Sequence, residues 1–210
     1  ISMLIDLQSC FFINATASPW IYTLSLHDAL PIYHLDCLAV PVPESFQEEV
    51  ERGIEFLPAI SLVVHEEPPE YGGVNTDDDS DSEMANRVSY VPIDPCQAVI
   101  AALRVAIQER MTRRFIDLEV ERFNSYGLML PDPYALKEVS LERFAAATLP
   151  AIPRVPQGQP TDRVRVMAQR LRELEENYSS ILLVCSLSDW QWIREAYTDR
   201  LEPEADDEQV

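Results

Sequence analysis

The chain has 210 residues, and 47% of them are hydrophobic, which is ordinary for one globular domain with a substantial core. Its formal net charge of -20 argues against nucleic acid as a partner, because contacts to phosphates need a basic surface. No apolar run approaches the roughly twenty residues of a membrane-spanning helix, so we expect no membrane partner and a soluble, cytoplasmic protein. The four cysteines lack a metal-binding spacing and fit reduced thiols in that compartment.

The negative charge is concentrated in two segments. Residues 66–83 hold eight acidic side chains and no basic one, and residues 199–210 hold six with a single arginine. Because such segments have little to bury, we expect an acidic, mobile loop over residues 66–86 and a disordered acidic tail over residues 199–210. Binding of a cation or of a basic protein partner is the functional alternative for both.

The beginning of the chain is interpreted as non-native. Ile21 to Ile32 resembles the translation of a common short-read sequencing adapter, whose codons give the same twelve residues in order. We therefore assign residues 1–32 to an artefactual segment of a chimeric fragment and residues 33–198 to a single α/β domain. The native first strand of that domain is then expected to be missing.

From residue 33 onward, predicted strands alternate with amphipathic helices. Short strands are predicted by apolar or alternating composition over residues 36–40, 59–64, 88–93, 115–119 and 180–185. Helices are predicted over residues 46–57, after Asp94-Pro95, after Ser140, from Thr161-Asp162 and after Ser188-Asp189. Strand, helix and strand in succession predict parallel pairs, including residues 88–93 with 115–119. The expected fold is an open, mostly parallel sheet with helices on both faces.

Four helix starts carry predicted N-caps, one of which is Ser140. Ser45 and Glu48 match a capping box, in which each side chain satisfies a free backbone N–H group of the first turn. Asp94 before Pro95, and Ser188 with Asp189, match the N-cap preference for short polar side chains.

Polar residues at the carboxyl ends of predicted strands are the candidate site, because ligands bind there in open parallel sheets. The candidate catalytic residues are Glu44, His65, Asp117 and Glu119. Asp117 and Glu119 share one strand face and could divide acid and base roles or bind a divalent cation; alternatively, they cap the following loop. His65 is a candidate base or metal ligand, or a residue with a structural hydrogen bond. The sequence does not identify a substrate, a cofactor or a metal.

The helix after Asp94-Pro95 and the strand Phe115-Ile116-Asp117-Leu118-Glu119 carry a resemblance to the TraB and erythromycin-esterase-like group. In that group a similar helix leads to a strand ending in Ile-Asp-Arg-Asp. Asp117 matches the first Asp, Glu119 stands at the second acid, and Leu118 departs from the Arg. Glu44 is similar in position to the acid that follows the group's second strand.

The resemblance covers residues 33–197 in outline, and the group's opening Gly-x-x-His strand would lie upstream of them. It implies a hydrolase-like site, with carboxylates that act as acid and base or hold a metal. The alternative hypothesis is a non-enzymatic module that uses the acidic loop and tail to bind protein partners. Clustering of the four candidate residues favours the first hypothesis, and their scattering as caps favours the second.

Overall fold

The computed structural model describes residues 2–6, 11–12, 22–23, 35–68 and 87–208. Its strands are β1 (Ser2–Asp6), β2 (Phe11–Phe12), β3 (Tyr22–Thr23), β4 (Cys37–Pro43), β5 (Ser61–Glu66), β6 (Val88–Ile93), β7 (Thr112–Asp117) and β8 (Ile181–Ser186). Its α-helices are α1 (Gln47–Glu55), α2 (Ala98–Gln108), α3 (Leu141–Thr148), α4 (Gln159–Glu175) and α5 (Leu187–Thr198). Short 3-10 helices cover Glu44–Phe46, Pro133–Lys137 and Leu149–Ala151.

The main sheet has four strands in the order β1-β8-β4-β7, and every neighbouring pair is parallel. The predicted α/β class is therefore confirmed. The edge position beside β8 is occupied by β1, which belongs to the segment interpreted as non-native. The expected gap at that edge is thus filled in this chain, because an open sheet edge offers unpaired N–H and C=O groups to any extended segment.

Alternating side chains of the sheet build two cores, as the prediction of helices on both faces requires. On the first face, Leu38, Val40 and Phe115 pack with α1 and α2. On the second face, Ile116 and Leu183 pack with α3, α4 and α5. The strand β8 is buried on both faces, which matches its continuous apolar composition.

The prediction that residues 88–93 pair in parallel with the strand after α2 is wrong. β6 pairs instead with β5 as an antiparallel hairpin outside the main sheet, with His65 opposite Ser89. One face of this hairpin is exposed, and Leu62 and Tyr90 lie on it. The alternating pattern of residues 88–93 reflects this position, since a strand inside a parallel sheet is apolar on both faces.

Three of the four predicted N-caps differ from the observed helix starts, whereas Ser140 is at the N-cap position of α3, as predicted. α2 begins at Ala98, and the Asp94 carboxylate accepts from the Cys96 N–H at 2.8 Å in a turn before the helix. The N-cap of α5 is Ser186, two residues earlier than predicted, and its hydroxyl accepts from the Ser188 N–H at 3.2 Å. Ser45 lies in a 3-10 turn before α1 and bonds to a distant carboxylate, described below.

The acidic segments also have a structural outcome. Residues 69–86 of the predicted loop lie outside the described residues. The tail was expected to be disordered, but its residues as far as Glu208 lie against helix α4 and contact residues 119–121. Within the described parts of the chain, no helix is long and apolar enough to cross a membrane.

Candidate functional site

A cleft lies at the carboxyl ends of β4 and β7, the place where the sequence predicts a site. β4 leads into α1 on one face of the sheet and β8 leads into α5 on the other, so the connections diverge between these neighbouring strands. The cleft has a volume of about 520 Å³. The register of β4 shifts between Val40 and Pro43, where the strand borders the cleft. Polar side chains in its lining include His65, Glu67, Arg87, Ser89, Asp117 and Arg163.

The inner face of the β5–β6 hairpin supplies three of these side chains. His65 and Ser89 are cross-strand partners, and Glu67 follows on the same face two residues after His65. Strand-like pairing continues to that point, since the Glu67 N–H donates to the Arg87 carbonyl at 2.9 Å. The hairpin therefore brings an imidazole, a hydroxyl and a carboxylate to one wall of the cleft.

Glu67 is the most deeply buried charged group of this wall, with 7% of its surface exposed. Its Oε1 accepts from the Ser89 hydroxyl and from the Phe123 N–H, the latter at 3.2 Å. Arg87 approaches its Oε2 at 3.7 Å, too far for a hydrogen bond. The Ser89 hydrogen bond lowers the pKa of Glu67, although burial opposes this shift. Glu67 is thus held as a carboxylate inside the cleft.

Two buried polar atoms in this cleft have no hydrogen-bond partner among the described residues. They are Nε2 of His65 and Oε2 of Glu67. Buried polar atoms in folded proteins nearly always have a hydrogen-bond partner, because a buried group without one carries the full free-energy penalty of desolvation. The cleft therefore retains one unmet imidazole nitrogen and one unmet carboxylate oxygen.

Asp117 lies at the other side of the cleft and is tied to Arg163. The Arg163 Nε lies 3.0 Å and 3.1 Å from the two Asp117 carboxylate oxygens, and its Nη2 donates to Oδ2 as well. Burial raises the pKa of Asp117, and the guanidinium partly offsets this effect. Burial disfavours the charge on Arg163, but the neighbouring Asp117 raises its pKa overall. The pair is a structural anchor with both charges engaged.

The four predicted site residues do not form one cluster. His65 and Asp117 line the cleft, whereas Glu44 is exposed and Glu119 lies outside the lining. The Glu119 carboxylate accepts from the Ser45 N–H at 2.8 Å and from the Ser45 hydroxyl at 2.7 Å. Glu119 therefore fixes the turn after β4, whereas its alternative interpretation was a cap on the loop that follows its own strand.

Sequence reasoning missed Glu67 and Arg163. The period of two in a strand places Glu67 on the same face as His65, but the predicted strand ended at Val64. Arg163 lies near the start of α4, 46 positions after its partner, and no local pattern connects it with Asp117.

The arrangement is not a catalytic triad, although it contains the residue types of one. In a triad the histidine lies between the nucleophile and the acid. Here Ser89 donates directly to Glu67, and the His65 Nε2 bonds to neither. What the cleft offers is a carboxylate that can accept a proton and an imidazole that can accept or donate one.

Other predicted positions belong to the structure around the site. Cys185 is fully buried, and burial raises its pKa well above the ordinary value. Asp189 accepts from the Tyr126 hydroxyl at 2.7 Å. Among the residues that the structure describes, no group of three or more His, Cys, Asp or Glu side chains could hold a metal ion.

The chain was compared with models of protein families, with curated proteins and with solved structures, and none of them matches it. The resemblance to the TraB and erythromycin-esterase-like group therefore stays a prediction. Of the residues that carry the resemblance, Asp117 accepts hydrogen bonds from Arg163, and Glu119 accepts them from Ser45.

Proposed function

We propose that the cleft binds a small molecule and acts as the site of a hydrolase-like enzyme, with Glu67 and His65 as its acid–base pair. The observation that carries the proposal is a pair of buried atoms on one wall that lack a hydrogen-bond partner among the described residues, Nε2 of His65 and Oε2 of Glu67. A bound substrate that donates a hydrogen bond to the carboxylate would offset the desolvation free energy of this buried oxygen. The volume is within the range of about 300–1,000 Å³ typical of ligand sites.

The side chains around this pair have supporting roles in the proposal. Phe46 packs edge-on against the His65 ring at 6.1 Å between centroids, which limits the ring's rotation. Arg163 lies over the Phe123 ring at 4.6 Å and braces the opposite wall while bound to Asp117. Positioning of this kind keeps an acid and a base oriented toward a bound molecule.

The acid–base form of the proposal is favoured over the metal-assisted form. Structural and catalytic metal sites use three or more protein ligands in most cases. The Asp117 carboxylate, the nearest further donor type in the cleft, is engaged by Arg163. Among the described residues that line the cleft, His65 and Glu67 offer two such donors, which are too few for such a site.

The test is hydrolysis of a panel of carboxylic esters, amides and phosphate monoesters by the full chain. We expect Glu67→Gln to reduce kcat by about 100-fold or more, the usual contribution of a general acid or base. Glu66→Gln is the matched control, since Glu66 is adjacent, exposed and on the opposite strand face. His65→Asn should also reduce kcat, because it removes the second member of the proposed pair. Absence of hydrolysis across the panel contradicts the proposal. Full activity in a Glu67→Gln variant whose thermal stability is unchanged also contradicts it.

A protein-interaction module is the second candidate function. The observation that favours it is the acidic tail, whose carboxylates are used to dock on a basic helix face. This candidate requires no chemistry in the cleft, so a cleft without activity leaves it intact.

A further inference from the structure

Three arginines of helix α4 contact carboxylates of the chain's own acidic tail. Arg165 bonds to Glu204 at 2.6 Å, Arg170 pairs with Asp207, and Arg172 lies 4.0 Å from Glu202. About a fifth of each arginine side chain stays exposed, at 23%, 20% and 18%. A basic surface thus lies beneath a segment of opposite charge.

The backbone beside α4 completes this surface. The Glu119 N–H donates to Asp207 at 2.9 Å, and the Glu121 N–H donates to Glu208 at 2.6 Å. In return, the Glu208 N–H donates to the Glu119 carbonyl at 3.1 Å. We name the three arginines and the backbone of residues 119–121 the tail groove. The tail groove holds the tail in two ways. Its backbone N–H and C=O groups bond to Asp207 and Glu208, and its arginines pair with successive carboxylates.

From Glu202 onward the tail is held by ion pairs with exposed partners, whereas Leu201 before it packs against the core on the second face of the sheet. Its carboxylate side chains remain largely in solvent, with 78% of Glu202, 79% of Glu204 and 46% of Asp207 exposed. Ion pairs with such exposed partners contribute little each, because water and salt screen them. The contacts described above are polar, and polar contacts to a solvated segment can be replaced by those of a similar one.

From this arrangement we infer that the tail groove is a docking surface for an acidic peptide segment of a partner protein, occupied in this structure by the chain's own tail. The charge of the groove and its backbone donors fix the chemistry of the occupant: an extended segment with adjacent carboxylates like Asp207 and Glu208. A tethered tail competes at an effective concentration of about 1 mM. A partner must therefore bind better than the tail or meet a chain whose tail is displaced. The inference does not depend on the cleft.

The experiment measures binding of a fluorescein-labelled synthetic peptide with the sequence of residues 200–210 to full-length chains by fluorescence anisotropy. Asp207→Asn/Glu208→Gln should release the tail and increase peptide affinity at least tenfold over the unaltered chain. Asp206→Asn is the matched control and should give no gain, because Asp206 is an exposed neighbour of the same charge. Adding Arg165→Gln to the tail-released variant should abolish the gain.

Further outcomes decide against the inference. Equal peptide affinity in the unaltered and tail-released chains means that the groove is not exchangeable. Retained affinity after Arg165→Gln means that the peptide binds elsewhere. A tail-swapped dimer that the peptide cannot dissociate assigns the groove to self-association. If the double variant loses thermal stability, Glu204→Gln replaces it, and absence of any affinity gain in that variant also refutes the inference.

Discussion

Asp117 at the end of β7 and Arg163 near the start of α4 form a buried ion pair that joins the sheet to the helix at the edge of the cleft. Only 3% of the Asp117 side chain and 14% of the Arg163 side chain are exposed. The Asp117 carboxylate also accepts from the Leu118 N–H at 2.9 Å, so each of its oxygens has a partner. The pair therefore fixes the cleft wall and leaves no free charge for chemistry at Asp117.

Removing the arginine should be far more costly than removing an exposed one. Arg163→Met leaves a buried carboxylate without its counter-ion, and we expect a loss of about 3–5 kcal/mol in the free energy of unfolding. Arg52→Met is the control, since Arg52 is 53% exposed and pairs with Glu48 and Glu49. Its loss should stay below about 1 kcal/mol. Urea denaturation at pH 7 measures both, and equal losses would refute the structural role of the pair.

The fold could be predicted where local pattern and burial agree. The strand at residues 181–186 and helix α4 follow from apolar composition and from spacing of three and four residues, because each is decided by what it must bury. The pairing of β6 could not be predicted, since an alternating strand specifies which face is buried but not which strand lies beside it. Helix starts were misplaced because Ser45 and Asp94 have other partners.

The candidate site was predicted in location but only in part in its residues. The rule on strand ends selected His65 and Asp117, which both line the cleft, although the rule applies to Asp117 alone, because β5, which carries His65, lies outside the parallel sheet. It also selected Glu119, whose partner Ser45 is 74 positions away and invisible to local reasoning. Glu67 and Arg163 were missed for the same reason, because tertiary contacts decide their burial and their partners.

Gly53 in α1 permits the close approach of the β5–β6 hairpin. A Cβ atom there would lie 2.9 Å from Cγ1 of Ile93 and 3.4 Å from the Ser61 hydroxyl. Alanine favours a helix over glycine by about 1 kcal/mol, but forcing a methyl group into a packed contact costs about 1–3 kcal/mol. We expect Gly53→Ala to lower the free energy of unfolding by about 1 kcal/mol on balance. Gly127→Ala is the control, because a Cβ at Gly127 would have no atom within 4 Å among the described residues. A stabilising effect of Gly53→Ala would contradict the close contact with Ile93.

Glu51 and Arg113 join α1 to β7 and should make stability depend on pH. The two side chains form a bidentate pair, with Arg113 Nε at 2.8 Å and Nη2 at 3.0 Å from the carboxylate. The hydrogen bonds from Arg113 lower the pKa of Glu51 below its ordinary value of 4.5. Since the folded pKa is the lower one, the contribution is present above about pH 4.5 and is lost as the pH falls through the folded pKa. We expect Glu51→Gln to lower the free energy of unfolding by about 1 kcal/mol at pH 7 and by less at pH 3, measured by chemical denaturation. An equal loss at both pH values would show that the charge of Glu51 does not contribute to the contact.

The cysteines should differ in reactivity by position. Burial raises the pKa of Cys37 to about 11 and raises that of Cys185 well above its ordinary value, whereas Cys96 is exposed before α2. Because the thiolate is the reactive form and must also be accessible, iodoacetamide at pH 8 should modify Cys96 within minutes. Cys37 and Cys185 should react only at the rate of unfolding, and urea should abolish the difference between the three. Peptide mapping by mass spectrometry after timed quenching measures this order, and rapid modification of Cys185 in the folded chain would contradict its place in the core between the sheet and α5.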